Sequence, residues 1–202
     1  MKIGPRYKKA RYLGAPVFRK TQTQKFAMSS QRKVKTMGGR RGAKSEFGKQ
    51  LLEKQKARFS YGVGGRQFTN YVKQALKTTG DNGKNLMQLL EGRLDNVMVR
   101  AGFAPTRSAA RQMVSHGHIK VNDVIVTIPS YHVSIGDLLT IREGSKKKVI
   151  FSKIDEELQN FKWPSWIVVD AAKREIKIVA EPVVDMTELL FDVRQVLEFY
   201  TR

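Results

Sequence analysis

The sequence predicts an α+β protein in which a helical segment precedes a small module of short helices and strands, with an extended basic arm at the N-terminus. Apolar residues recur at helical spacing from about residue 45 to residue 115. From residue 118 onwards, short apolar runs alternate with turn residues, as in short strands. Residues 1–44 show little periodicity. The length of 202 residues is enough to bury a hydrophobic core.

The charge of the chain is large and unevenly distributed. The net charge is +20, and the first fifty residues hold fifteen Lys and Arg against one acid, whereas the last fifty-two hold seven against ten. Such a field attracts a polyanion, and nucleic acid is favoured over an acidic membrane surface or an acidic protein. The absence of cysteine excludes disulfides and thiolate metal sites. No apolar run reaches membrane-spanning length, and no apolar signal core follows the basic N-terminus.

The N-terminal arm, residues 1–44, places Gly, Pro, Ser, Thr and Gln between its positive charges. This composition predicts a segment that is poorly ordered without a partner. The glycines of GGRRG, residues 38–42, either let the backbone approach phosphates or form a flexible linker. The candidate RNA contacts of the arm are Arg6, Lys8, Lys9, Arg11, Arg40, Arg41 and Lys44.

Residues 45–92 predict three helices. Ser45 is placed to cap the first, and Gly62 ends it. The second covers Arg66 to Lys77, and the third starts near Lys84 after the GDNG turn. The residues expected to face inward are Phe47, Leu51, Leu52, Phe59, Phe68, Val72, Ala75, Leu76, Leu86, Leu89 and Leu90. The candidate RNA contacts on the remaining surface are Lys49, Lys54, Lys56, Arg58 and Arg66.

Two short helices follow, each with one apolar face. The first ends at Gly102, and Thr106 is placed to cap the second, which ends at Gly117. Their predicted inner faces consist of Leu94, Val97, Met98, Ala101, Ala110, Met113 and Val114. Because Arg107, Arg111 and Ser115 recur every four residues, they share the opposite face of the second helix.

This outer face is the strongest functional signal in the sequence. The stretch APTRSAARQMVSHGHIKVN, residues 104–122, contains no acid. Planar guanidinium groups suit phosphate, and the lack of an aromatic pair favours folded RNA over a splayed single strand. The alternative is an ordinary solvated helix face. The candidate contacts are Arg93, Arg100, Arg107, Arg111, Ser115, His116, His118 and Lys120.

The rest of the chain predicts short strands and a last helix. Two strands around an Asn122-Asp123 turn are predicted by the segment HIKVNDVIVTI. Three further strands are predicted by the segments LLTI, WIVVD and EIKIV. A short helix is expected from Ile154 to Phe161. Asp185 and Glu188 have capping-box spacing and are expected to open a helix that docks on the rest of the protein. Its expected inward residues are Met186, Leu189, Leu190, Val193 and Leu197.

Catalytic and metal-binding motifs are not found. Gly83-Lys84 is similar to the end of a phosphate-binding loop. That motif is excluded because it needs Gly at the position of Thr78 and Ser or Thr at the position of Asn85. His116 and His118 form a His-x-His pair, but no cysteine exists and the nearest acid lies across a turn, so packing or an RNA-facing role is favoured over metal binding. We therefore expect a protein that is not an enzyme and has no cofactor and no metal.

The stretch LLEGRLDNVMVRAGFAPTRSAARQMVSHGHIKVN resembles the S4 RNA-binding domain, a small α–β module. The upstream EFGKQLLEKQKARFSYGV and the ending VLEFYTR resemble the bacterial-type family of small-subunit ribosomal protein four. The RLDN, TRSAARQ and VSHGHI motifs are specific in combination. Relatives with an N-terminal cysteine cluster bind zinc, whereas this chain is similar to the zinc-free form, so its arm is expected to be ordered by RNA.

The resemblance implies a domain plan and a role. It implies a basic arm at 1–44, a helical RNA-binding domain at 45–92, an inserted S4 module with its β extension at 93–184, and a C-terminal helix at 185–202 that returns to the helical domain. It also implies that the candidate residues 93–118 and 49–58 lie on two RNA faces. The implied role is a structural protein that binds small-subunit rRNA at a junction of its 5′ domain early in assembly.

The same resemblance implies neighbours on the ribosome. Ribosomal proteins three and five and the mRNA, where it enters the ribosome, are the implied partners, with a contribution to decoding accuracy and no membrane contact. The implied location is the ribosome of the cytoplasm, with an organellar ribosome left open. The alternative function is an RNA-modifying enzyme or another RNA-binding regulator that uses an S4 module.

Overall fold

The computed structural model describes residues 3–29, 45–152, 154, 158 and 161–201. The contacts within the chain divide it into two compact units. The helical unit consists of Met1–Gly83 together with Asp185–Arg202, and the sheet unit consists of Lys84–Val184. The α+β class expected from the sequence is confirmed, since helices dominate one unit and an antiparallel sheet lies in the other.

The helical elements follow the predicted order. Short 3₁₀ turns lie at Arg19–Thr21, Glu143–Ser145, Val149–Phe151 and Met186–Glu188, and residues 24–29 are helical. The α-helices are α1 (Arg6–Leu13), α2 (Glu46–Tyr61), α3 (Gly65–Lys77), α4 (Asn82–Glu91), α5 (Leu94–Arg100), α6 (Arg107–Ser115) and α7 (Val193–Thr201).

Residues 3–29 are folded, which corrects for this part the expectation of an extended arm that only RNA orders. Helix α1 ends at Gly14, whose φ of +69° is the left-handed conformation typical of a helix stop. The segment has an apolar core of its own, because its small and aromatic residues meet α2. The buried residues of this core are Ala10, Leu13, Ala15, Val17, Phe18, Phe26 and Leu52. Arg40, Arg41 and Lys44 lie outside the described residues.

The helical unit is built as its patterning predicts, with one exception. Ser45 caps α2 by accepting a hydrogen bond from the Gly48 amide at 3.2 Å. Phe68, Val72 and Ala75 of α3 are completely buried. Phe47, which was expected to face inward, is half exposed, and its ring lies 5.4 Å from that of Phe199 on α7.

Helix α7 packs on α2 and α3. Its Glu198 accepts a hydrogen bond from Gln50 at 3.2 Å, and the hydroxyls of its Tyr200 and of Thr69 lie 3.2 Å apart. The expected start of this helix was wrong. Asp185 caps only a 3₁₀ turn, by accepting a hydrogen bond from the Thr187 amide, and α7 begins eight residues later at Val193. Met186 and Leu190, expected inward, are therefore exposed.

The sheet unit contains a five-stranded antiparallel sheet in the order β2-β1-β3-β5-β4. The predicted turn between the first two strands is confirmed, with φ of +48° at Asn122 and +65° at Asp123. Helices α5 and α6 pack on each other through the predicted inner faces. The strands are β1 (Ile119–Val121), β2 (Val124–Ile125), β3 (Leu138–Ile141), β4 (Ile167–Asp170) and β5 (Glu175–Ile178).

The short helix expected at Ile154 to Phe161 falls mostly outside the described residues. Residues 154 and 158 are helical and belong to the core of the sheet unit, where Leu158 is completely buried. None of the described helices combines the length and the apolarity that crossing a membrane requires.

Candidate nucleic-acid interface

A buried carboxylate joins two arginines at the contact between α5 and α6. Asp95, in the first turn of α5, is only 1% exposed. It accepts hydrogen bonds from Arg93 Nε at 3.0 Å and Arg93 Nη2 at 2.9 Å. Arg111 of α6 donates to the same carboxylate through Nε at 2.9 Å and through Nη2. Arg93 thus contacts both oxygens of the carboxylate, whereas Arg111 donates two hydrogen bonds to Oδ2. The planar guanidinium group can make such paired contacts, and the ammonium group of Lys cannot.

A second buried carboxylate lies at the end of α4. Glu91 is completely buried and accepts hydrogen bonds from Arg100 Nε and Nη2, both at 2.8 Å. The Asn96 amide donates to the same side chain and to the Glu91 carbonyl. Asn96 Oδ1 in turn accepts a hydrogen bond from Arg107 Nε at 2.6 Å. This chain of contacts ties α4, α5 and α6 together through polar side chains.

We call this group the arginine cluster; its members are Glu91, Arg93, Asp95, Asn96, Arg100, Arg107 and Arg111. Among the residues that the structure describes, its four arginines are joined by the carboxylates of Glu91 and Asp95. Arg100 and Arg111 have 29% and 26% of their side chains exposed, so each spans from a buried acid to the surface. A guanidinium held in this way loses little further freedom when it binds an anion.

The acids of the cluster correct the expectation of an exposed arginine face without compensating charge. Residues 104–122 do lack acids, but the fold brings Glu91 and Asp95 beneath that stretch. Arg107 and Arg111, expected to be exposed, are partly buried. Arg93, expected on the same outer face, is only 3% exposed because its guanidinium binds Asp95 inside the unit.

Sequence reasoning missed Glu91, Asp95 and Asn96 as members of the site. The helical pattern of α5 places residues 95 and 96 away from its apolar stripe, which normally indicates solvent exposure. Both are buried because α6 and the segment before β3 cover them. The Asp95 amide donates a hydrogen bond to the Pro129 carbonyl at 3.1 Å. From α6, Arg107 donates to Asn96 and Arg111 donates to Asp95. The only available signal was the group of three polar residues around Leu94, namely Arg93, Asp95 and Asn96, within the RLDN motif.

The C-terminal end of α6 carries the other predicted contacts of this region. Thr106 caps the start of the helix by accepting a hydrogen bond from the Ala109 amide at 3.2 Å, as expected. Ser115 and His116 at its end are exposed. Lys120 on β1 is partly buried, with its ammonium 3.9 Å from the Asp123 carboxylate.

The side chain of His118 is buried. It was expected on the outer surface together with Arg107 and Arg111, and that expectation was wrong. His118 is 7% exposed; its Nδ1 lies 2.9 Å from Ser145 Oγ, and its ring meets that of Phe151 edge to face at 5.9 Å. Burial is the main cause that lowers the pKa of the His118 imidazole below its ordinary 6.5, and the positive charges of Lys148, His116 and Arg142 lower it further. The neutral ring is therefore the form that the fold stabilises.

The burial of His118 predicts a pH-dependent stability of the sheet unit. Because the unfolded chain takes up a proton near pH 6.5 and the folded ring does so only at lower pH, the free energy of unfolding should fall as the pH drops through that value. Denaturant unfolding at about pH 7.5 and about pH 5.5 measures this slope. His118→Gln should reduce it, whereas the exposed His116→Gln should keep most of it. An equal slope in all three proteins would contradict the assignment.

The predicted contacts on α2 are partly engaged with aromatic rings and acids. The ammonium of Lys54 lies 4.1 Å from the centroid of the Phe199 ring and 4.9 Å from that of Tyr200. Burial, followed by the charge of Arg58, lowers the pKa of the Lys54 ammonium. Arg58 itself stacks over Phe59 at 4.7 Å. These cation–π contacts hold the side chains at the surface of the helical unit and leave their charge in place.

The other cations of the helical unit range from partly buried to exposed. Lys49 is paired with Glu46 at 3.1 Å, and Lys56 is paired with Glu53 at 2.6 Å. The ammonium of Lys9 on α1 lies 4.8 Å from the centroid of the Phe59 ring. The exposed predicted contacts in this unit are Arg6, Lys8, Arg11, Lys49 and Arg66.

The His-x-His pair is separated by the fold. The rings of His116 and His118 lie 5.9 Å apart at a steep angle, one exposed and the other buried. Across the described residues, no three His, Asp or Glu side chains come together in a group that could hold a metal ion.

Comparison with known protein families agrees with this architecture. Residues 1–91 match the model of the ribosomal protein S4/S9 N-terminal domain, and residues 92–139 match the model of the S4 domain. The boundary between the two matches falls within the arginine cluster, between Glu91 and its other members. Because the two models follow one another over more than two thirds of its length, the chain belongs to the ribosomal protein S4 family, the structural rRNA-binding proteins of the small ribosomal subunit.

Proposed function

We propose that this protein binds small-subunit rRNA at a junction of helices in the 5′ domain, and that it does so early in assembly. We also propose that it lies beside ribosomal proteins three and five where mRNA enters the ribosome, and that it contributes there to decoding accuracy. Family membership supports the rRNA contact. The finer assignments rest on the resemblance of the RLDN, TRSAARQ and VSHGHI motifs.

The arginine cluster is the observation that carries this proposal. Arg100 and Arg111 are held by two-point contacts to buried acids and remain about one quarter exposed, so they present oriented donors at a surface. Folded RNA is recognised through its shape, its phosphates and its ribose hydroxyls. Rigid guanidinium groups at fixed positions suit a folded phosphate backbone better than flexible lysines do, because their orientation is set before binding.

The helical unit supplies a second basic surface for the same RNA. The exposed Arg6, Lys8, Lys49 and Arg66 lie on α1, α2 and α3, and Lys54 is held against the aromatic rings of α7. We propose that Lys56 and Arg58 contribute on α2, and Lys9 and Arg11 on α1. Contacts on two units would favour an RNA with several helices over a single short duplex.

The salt dependence of binding tests the proposal. With a transcript of the 5′ domain of small-subunit rRNA, affinity should fall at least tenfold between about 50 mM and about 200 mM monovalent salt, since each neutralised phosphate releases counterions. A transcript of equal length from an unrelated RNA serves as the control and should bind more weakly at the higher salt concentration. Affinity that does not change with salt, or that is equal for the two transcripts, would contradict the proposal.

A further inference from the structure

A second group of cations lies at the other end of α6 from Arg107, on the segment that follows β3. This segment, residues 142–148, is called here the lysine turn; it reads REGSKKK. Its backbone is fixed by several hydrogen bonds. The Arg142 amide donates to the His118 carbonyl at 2.9 Å, the Ser145 amide to the Arg142 carbonyl at 2.8 Å, and the Lys148 amide to the Ser145 carbonyl at 2.9 Å. The lysine turn is therefore an ordered part of the sheet unit.

Two side chains anchor the lysine turn to the rest of the unit. Ser145, which is 2% exposed, lies 2.9 Å from the buried ring of His118. Arg174, in the turn between β4 and β5, donates from Nη1 to the Lys146 carbonyl at 3.3 Å. Because the anchors come from two different elements, the cations between them extend from a fixed backbone.

The charges of the lysine turn are concentrated, with little compensation from the residues that the structure describes. Arg142, Lys147 and Lys148 are exposed, and the exposed His116 lies beside them at the end of α6. Within the described part of the chain, salt-bridge partners occur for Lys146, which meets Glu143 at 2.7 Å, and not for Arg142, Lys147 or Lys148. Arg142 and His116 both lie next to His118, since the Arg142 amide donates to the His118 carbonyl at 2.9 Å and the His116 ring lies 5.9 Å from that of His118.

This arrangement differs from an ordinary solvated face. Surface cations commonly alternate with acids, which reduces their mutual repulsion. Here several cations gather on an anchored turn, and the repulsion between them is relieved when an anion binds. Because the side chains of Arg142, Lys147 and Lys148 are exposed, they suit an extended polyanion, which can meet several separate cations at once, better than a small enclosed ligand.

We propose that the lysine turn, through Arg142, Lys147 and Lys148 and together with His116, is a second phosphate-binding surface that takes a part of the bound RNA separate from the part held by the arginine cluster. This inference rests on the proposed rRNA-binding function. The two surfaces lie toward opposite ends of α6, whose nine residues span about 13 Å. A single folded RNA can therefore contact both.

The test uses the full-length protein and the 5′-domain transcript. The variant replaces Arg142, Lys147 and Lys148 by alanine. Its matched control replaces Lys162, Lys173 and Lys177 by alanine, which removes the same charge from exposed positions of the same unit. The slope of log Kd against log salt should become shallower by about two to three in the variant, at roughly one per phosphate contact, and should change less in the control.

Backbone footprinting of the same complexes locates the contact. One tract of protected nucleotides should be lost in the lysine-turn variant, while the tract that depends on the arginine cluster is kept. If the wild-type protein binds the transcript and both triple variants have the same slope and footprint, the inference is overturned and the proposed function stands. If the wild-type protein does not bind, the proposed function itself fails. Loss of binding to anionic phospholipid vesicles with RNA binding unchanged would also overturn the inference.

Discussion

Asp95→Ala is expected to lower the free energy of unfolding of the sheet unit by about 3–5 kcal/mol, the range typical of removing one partner from a buried ion pair. The carboxylate of Asp95 is buried and binds both Arg93 and Arg111. Its removal takes from the guanidinium of Arg93, itself only 3% exposed, the carboxylate to which it donates two hydrogen bonds. The partly exposed side chain of Arg111 can turn toward solvent, whereas the buried side chain of Arg93 cannot.

Tryptophan fluorescence during denaturant unfolding measures this effect selectively. Both tryptophans of the chain, Trp163 and Trp166, lie in the sheet unit, so the signal reports that unit. Glu143→Ala is the matched control, because it removes an acid from an exposed pair with Lys146 in the same unit and should change the unfolding midpoint little. An equal effect of the two substitutions would show that the Asp95 network does not stabilise the fold.

The paired substitution Arg107→Ala and Arg111→Ala is expected to weaken binding of the 5′-domain transcript by roughly 100-fold. A hydrogen bond to a charged group contributes about 1.5 kcal/mol or more, so two lost arginine contacts cost about 3 kcal/mol. The structure adds a stability effect, because Arg111 is one of the two arginines that bind Asp95. A moderate loss of stability is thus expected along with the loss of affinity.

Two further proteins separate affinity from stability in this experiment. Lys162→Ala with Lys177→Ala removes the same charge from exposed positions of the same unit and should reduce affinity much less. Arg107→Lys with Arg111→Lys keeps the charge but not the planar fork, and should fall between the wild-type protein and the alanine pair. If the alanine pair remains folded at the assay temperature and binds RNA as tightly as the wild-type protein, the arginine cluster is structural and does not contact RNA.

These two experiments address a general question about charged binding surfaces. A buried ion pair often contributes little net stability, because desolvation offsets its attraction, and it is retained where it sets a geometry. Glu91 and Asp95 each orient arginines that also reach the surface. The network therefore couples the packing of α4, α5 and α6 to the direction of the surface donors.

Much of the fold was predictable from local patterns. The inner faces of α5 and α6, the Ser45 and Thr106 caps, and the stops at Gly62, Gly102 and Gly117 all depend on residues within one or two turns of each other. The strands from residue 119 onwards and the turn at Asn122-Asp123 were likewise apparent from alternation and turn residues.

The errors occurred where distant segments meet. Residues 6–29 were expected to be extended because their periodicity is weak, yet their apolar residues form a core with Leu52 of α2. The last helix was expected at Asp185, a sound cap by its local chemistry, but α7 begins at Val193, where it packs against α2 and α3. Local sequence patterns favour one secondary structure of a segment over another, and packing against another element decides which of them forms.

The sequence by itself determined the positive field, the absence of cysteine chemistry, the order of helices and strands, and the regular spacing of Arg107 and Arg111 along one helix. Only the tertiary structure decided which cations are surface groups. It placed Asp95 and Glu91 beneath the arginines, buried Arg93 and His118, and gathered Arg142, Lys147 and Lys148 on an anchored turn. The physical reason is that a charge is buried or exposed according to its neighbours in space, and these often lie far apart in the chain, as with His118 and Ser145, 27 positions apart, or Gln50 and Glu198, 148 positions apart.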